Sequence, residues 1–216
     1  MDRLTLLCLT FVAGFVDTAT FINAHGLFAA HVTGNFVVFG AALAEGVKPE
    51  DYIKLAAFPV FVIAVGLGVA LYRKSNNNIV PVLIAQSLLM LAVGLSSLIA
   101  LDAVPGMVLA LTLVVAMGLQ NSLHRYYPGP MSTVMTGTVM HWAASNAEKI
   151  LALPPKPGKD IAAKPMMGRL MFCFALGCVA AGVGATAHGL AICIVASGII
   201  AALAIHEWKL RKVKAA

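Results

Sequence analysis

Charge is the scarcest property of this chain. Of its 216 residues only 11% are charged, and nine are acidic. A soluble domain carries roughly a quarter charged residues, so a soluble globular fold is excluded. No stretch is polar enough to form a separate aqueous domain. The four cysteines (Cys8, Cys173, Cys178, Cys193) all lie in apolar runs without CxxC spacing. That excludes a disulfide framework, and they read as small buried hydrophobes. The six histidines are scattered, with no HxxxH or HExxH and no companion Cys at ligand spacing, so no metal site is expected. Walker A, nucleophile-elbow and nucleotide-binding glycine motifs are missing, as is any nucleophile–base pair. Neither an enzyme nor a cofactor is expected.

What is present is apolar: 60% hydrophobic residues and a mean hydropathy of +0.91. This is the composition of an integral membrane protein. The formal net charge of +6 raises a nucleic-acid reading. The basic residues, however, sit in loops such as KPGKDIAAK and in the closing KLRKVKAA. That is the pattern of cytoplasmic loops under the positive-inside rule, so the partner is the lipid bilayer and no nucleic acid. The N-terminal MDRLTLLCLTFVAGFVDTATFINA is interrupted by Asp17 and lacks a convincing cleavage site; it reads as an uncleaved first transmembrane helix.

Apolar windows predict helices at 4–23, 54–73, 79–101, 105–124, 166–184 and 187–206. Two further segments, 28–45 and 131–150, are less apolar and hold Thr33-Gly34-Asn35 and Thr136-Gly137-Thr138. The chain repeats itself, in halves of about 1–101 and 102–208 within one membrane domain spanning 1–216. Gly14 and Asp17 match Gly118 and Asn121, the two Thr-Gly triplets follow at nearly equal distance, and Phe61 and Gly66 match Phe172 and Gly177.

Both Thr-Gly segments could be full spans, giving halves of one orientation, but Arg73-Lys74 would then lie opposite the basic C-terminus. If both are re-entrant, six helices put Arg3, Arg73-Lys74, Arg125, the Lys156–Lys164 loop and the tail on one side. His25, the acidic 45–54 loop, Asp102 and His188 fall on the other. Every loop then obeys positive-inside, and the halves are inverted. The favoured fold is therefore all-α integral membrane, with inverted 3+3 repeats and cytoplasmic termini in the inner membrane.

Irregular backbone at membrane depth needs protein or a wet cavity around it. His25-Gly26 and Pro128-Gly129-Pro130 precede the two triplets as chain breakers. An extended approach followed by a half-helix would set Thr33 and Thr136 near N-caps, their hydroxyls taking orphan N–H groups. Gly34 and Gly137 would allow a turn or a close approach. Two half-helix N-termini at the midplane make an electropositive polar site, as in transporters with broken helices. Packing of small residues is the plainer alternative.

The stretches GFVDTATFINAHGLFAAHVTGNFVVFGAALAEG and MGLQNSLHRYYPGPMSTVMTGTVMHWA resemble the paired signatures of the YoaK-like bacterial inner-membrane proteins. The resemblance covers essentially the whole chain and implies a membrane protein of unknown function. Where that family tends to carry Asn-Met-Thr-Gly-Asn, this chain has His31-Val32-Thr33-Gly34-Asn35, so His31 marks a subfamily feature.

Asp17 is the acidic residue well inside an apolar helix and a functional candidate by default. With His31 it is assigned to proton coupling; a structural acid bonded to Thr18, Asn121 or backbone is the alternative. Gln120, Asn121, Asn35 and Thr138, with Thr33, Gly34, Thr136 and Gly137, are assigned to solute binding. His141 and Gln86 are weaker candidates. Trp208 reads as an interfacial anchor, and Gly66-x-Gly68, Gly177, Gly182 and Gly184 as packing positions. The functional expectation is a secondary transporter of a small solute, anionic if the helix ends dominate. A passive channel and a structural or accessory membrane protein are the alternatives. Chains this small often work as homo-oligomers.

Overall fold

The computed structural model describes residues 1–99, 105–127, 129–151 and 164–215. Asp102, Pro128 and the Pro154–Ala163 part of the basic connection lie outside the described residues. Those described form α1 (Arg3–Asn23), α2 (Gly34–Glu45), α3 (Tyr52–Lys74), α4 (Val80–Leu98), α5 (Gly106–Ser122), α6 (Met135–Ile150), α7 (Lys164–His188) and α8 (Cys193–Ala215). Among the described residues there are no strands. Five segments are long and apolar enough to cross a bilayer: Arg3–Asn23, Pro49–Lys74, Val80–Leu98, Gly106–Arg125 and Met166–Val213. The last holds both α7 and α8. α2 is apolar but shorter.

Local chemistry sets the helix ends. The Asp2 carboxylate caps α1 by accepting the Thr5 N–H at 2.7 Å and also bonds His206 of α8 at 2.8 Å. Burial alone would raise the Asp2 carboxyl, but the His206 imidazole and the Thr5 N–H outweigh it and hold its pKa below the ordinary value. Its contribution to stability is therefore present above the unfolded-state pKa and lost as pH falls through the lowered one. Asp2→Ala is expected to cost about 1 kcal/mol at neutral pH, with the gap to the parent closing in acid. Chemical unfolding of the two proteins across that pH range measures it.

Past α1, His25 (φ 52) and Gly26 (φ 77) adopt left-handed backbone and turn the chain back. Asn76 (φ 56) and Asn77 (φ 54) do the same between α3 and α4. Expectation and structure part at the last two helices. The predicted break near 184–187 falls instead at Gly189, whose φ is +56. Thr186, although polar, stays helical by donating its hydroxyl to the Val183 carbonyl at 3.0 Å.

The bundle is held by helix pairs with glycine at their crossings. α1 packs on α7, α3 on α5, and α4 on α8 and α5. A Cβ on Gly14 would lie 2.3 Å from the Phe174 carbonyl oxygen, and one on Gly177 would lie 2.1 Å from that of Phe11. At the α3–α5 crossing a Cβ on Gly68 would meet Ser122 Oγ at 2.3 Å, and one on Gly118 would meet the Ala64 methyl at 2.6 Å. Gly66 and Gly182, grouped with these in sequence, have nothing within 4 Å. Gly94 of α4 abuts Ile194 of α8. Beside it, Ser87 and Ser197 bond reciprocally to each other's carbonyl, at 3.0 and 2.8 Å.

Candidate functional site

Two polar clusters interrupt the apolar core, and each forms where the segment before a short helix touches a long one. The first is built by Asn35, fully buried at the start of α2. Its Nδ2 donates to the Phe28 carbonyl at 2.9 Å and its Oδ1 accepts the Phe28 N–H at 2.8 Å. One amide thus closes the 28–35 loop as a neighbouring strand would. The closed loop presses Ala30 and His31 against α1. Ala30 N–H donates to Asp17 Oδ1 at 2.6 Å, and His31 Nδ1 pairs with Asp17 Oδ2. Asp17 is only 3% exposed, and an unpaired carboxylate at that depth would be costly. The His31 ring stands edge-on to Phe174 of α7, centroids 5.6 Å apart.

The second cluster lies where α5 ends. Asn121 Oδ1 accepts the Thr133 hydroxyl at 2.7 Å, and its Nδ2 donates to the Met117 carbonyl. Next to it, Gln120 is completely buried. Its Nε2 donates to the Leu9 carbonyl of α1 at 3.0 Å and to Ser132 Oγ at 2.9 Å, while Gln86 Nε2 of α4 donates to its Oε1 at 2.8 Å. Ser132 in turn meets His124: its backbone N–H donates to Nε2 at 3.0 Å, and its hydroxyl lies 2.8 Å from the same nitrogen.

Asp17 and His31, each assigned to proton coupling from the sequence, are in contact here. Gln120 and Asn121 do lie in a buried polar network. The Thr-Gly triplets behave differently from expectation. Thr33 is the N-cap of α2 but makes no hydroxyl capping bond, and Thr136 lies inside α6, whose N-cap is Val134. Both threonines are exposed, whereas the third residue of each triplet, Asn35 or Thr138, is buried. Gly34 sits against the Phe28 ring, 3.2 Å from where a Cβ would be, and Gly137 has open space. His141 is exposed. The eight solute-binding candidates therefore do not form one cluster. Ser132, Thr133 and His124, not singled out in the sequence, join the second cluster with the weaker candidate Gln86. The signal was present in the spacing: Thr133 follows Asn121 by 12 residues much as Ala30 follows Asp17 by 13. Among the described residues no group of His, Cys, Asp and Glu is arranged to hold a metal.

A family profile described as "Protein of unknown function (DUF1275)" matches residues 5–206. The chain is similar to the UPF0700 transmembrane protein YoaK of Bacillus subtilis (strain 168), 30% identical over 142 residues. That alignment covers 63% of this chain and 62% of the relative, so the chain spans less than two thirds of that protein's length. No solved structure matches. With a profile match over nearly its whole length and several helices able to span a bilayer, this chain is a multi-pass membrane protein belonging to the DUF1275 family.

Proposed function

We propose that this protein is a secondary transporter of a small solute, built as inverted three-helix repeats with α2 and α6 re-entrant. Several contacts support that architecture. Exchanging the halves turns the α1–α7 pair into α5–α3, α1–α8 into α5–α4 and α2–α3 into α6–α7, and each of these pairs is packed. α1 and α7 run parallel: Cys8 is near Cys173, and Asn23 Oδ1 is 3.7 Å from where a Cβ on Gly189 would be. α3 and α5 also run parallel, with Gly68 at Ser122 and Tyr72 stacked on Tyr126 at 4.1 Å. α4 and α8 are antiparallel, Ser87 meeting Ser197 and Gly94 meeting Ile194. Thr5 bonds Glu207 and Asp2 bonds His206, which favours both termini on one face, the cytoplasmic one by the positive-inside rule. His25 lines a common groove with Glu45 and Lys48, as expected if α2 returns to the side it came from.

The observation that carries the transport reading is the Asp17–His31 pair. An acid and an imidazole meet at a loop tip deep in an apolar bundle, and Asn121–Thr133 is the neutral counterpart in the other half. A titratable group at such a tip suits proton coupling. The rival structural reading draws on Asn35, whose bonds hold its own loop. Uptake into proteoliposomes decides: a transporter saturates and responds to an imposed pH gradient, a channel does neither, and a structural protein gives no flux.

Topology has its own test. In single-cysteine variants of the full chain, Val47→Cys is expected to label from outside the cell and Asn77→Cys only after permeabilisation. The reverse pattern is the signature of full-span α2 and would overturn the inverted architecture.

A further inference from the structure

The second cluster has two ends that the protein leaves open, and hydrogen-bond logic fixes their polarity. The Leu9 carbonyl can only accept, so Gln120 must turn Nε2 toward it. Gln120 Oε1 then faces Gln86, which must present Nε2. Gln86 Oε1 is thereby directed away from the chain of bonds. It is buried, on a residue with no exposure, and has no partner among the described residues. At the other end the Ser132 N–H donates to His124 Nε2, so that nitrogen accepts. The neutral ring carries its proton on Nδ1, which is likewise buried and unpartnered. A buried acceptor or donor left alone costs about 1–3 kcal/mol, so two at the ends of one four-residue chain need an explanation.

We propose that Gln86 Oε1 and His124 Nδ1 are the recognition ends of the solute site. The ligand class is an uncharged molecule bearing both an N–H or O–H donor and a carbonyl or hydroxyl acceptor. This deepens the transport reading and rests on it. The bonded groups of the cluster, Gln86, Gln120, Ser132, His124, Asn121 and Thr133, include no carboxylate, ammonium or guanidinium. A desolvated ion there would lack a counter-charge, at a penalty of several kcal/mol, and an outward-facing carbonyl oxygen repels an anion. Of the two clusters, the first is the one that contains a carboxylate, Asp17. One loop tip thus handles the proton and the other handles a neutral solute.

Isosteric pairs differing only in charge test the proposal: lactamide against lactate and acetamide against acetate. The full chain in nanodiscs is examined by saturation-transfer NMR. Lactamide is expected to bind and lactate to be silent. Gln86→Met and His124→Leu should each weaken lactamide by about tenfold, and Ser87→Ala, which neighbours Gln86 outside the chain of bonds, should leave it unchanged. The two variants remove opposite ends, so misfolding of one leaves the other informative. Lactate bound as tightly as lactamide would overturn the proposal, as would no solute signal from folded protein, the mark of a structural water only. Lactamide flux into proteoliposomes separates the two levels. Binding that depends on Gln86 without flux would sink the transport reading and uphold the site. Flux of other solutes that is indifferent to Gln86→Met would do the opposite.

Discussion

Asp17→Asn will abolish the pH dependence of solute uptake while leaving the fold within about 1 kcal/mol of the parent. Asparagine keeps an oxygen for the Ala30 N–H, which lies 2.6 Å from Asp17 Oδ1, and the chain already uses asparagine in this way at Asn121. What it loses is the ionisable group facing His31. Asp17→Ala is a different experiment. It strands the Ala30 N–H and the His31 imidazole in an apolar setting, at about 3 kcal/mol. Equilibrium unfolding in mixed micelles and uptake across imposed pH gradients measure both effects. Unchanged pH dependence in the Asn variant would remove Asp17 from coupling. Equal destabilisation by Asn and Ala would make its charge purely structural.

Gly14→Ala and Gly177→Ala will each destabilise the bundle by about 3 kcal/mol. The atoms in the way are backbone carbonyl oxygens, Phe174 at 2.3 Å and Phe11 at 2.1 Å. Neither can swing aside as a side-chain tip would, so the α1–α7 crossing must widen and lose dispersion contacts along its length. Gly66→Ala and Gly182→Ala are the controls. Their Cβ atoms meet nothing within 4 Å, and alanine favours helix by up to about 1 kcal/mol. Melting of the four variants should split into two groups. If all four respond alike, helix propensity rather than interhelical approach sets the need for glycine.

Those glycines also show what could be read from sequence. Composition and apolar windows sufficed for an all-helical membrane protein, with most helix ends within a few residues. They could not say which of Gly66 and Gly68 meets α5, because residues two apart point to different sides of a helix and only the partner selects one. The Thr-Gly triplets were conspicuous for polarity, but polarity reports expense and not partners. Thr33 and Thr136 are exposed, and the buried work passes to Asn35 in one half and to Ser132 and Thr133 in the other. Asp17 was legible because a carboxylate in an apolar helix has few innocent explanations. Gln86 was not, since an amide in a helix can be satisfied in many ways. Its importance comes from the fixed orientation of Gln120, which depends on a carbonyl 111 residues away in sequence.

The exchange of partners between halves carries a consequence for biosynthesis. α1 is synthesised well before its principal neighbour α7, and Thr5 waits for a residue 202 positions later. α3 likewise waits for α5. During insertion the glycine face of α1 must remain in lipid or against the insertion machinery until α7 has been made. Neither half expressed alone can bury its own crossings, and two fragments produced in one cell should assemble only with each other.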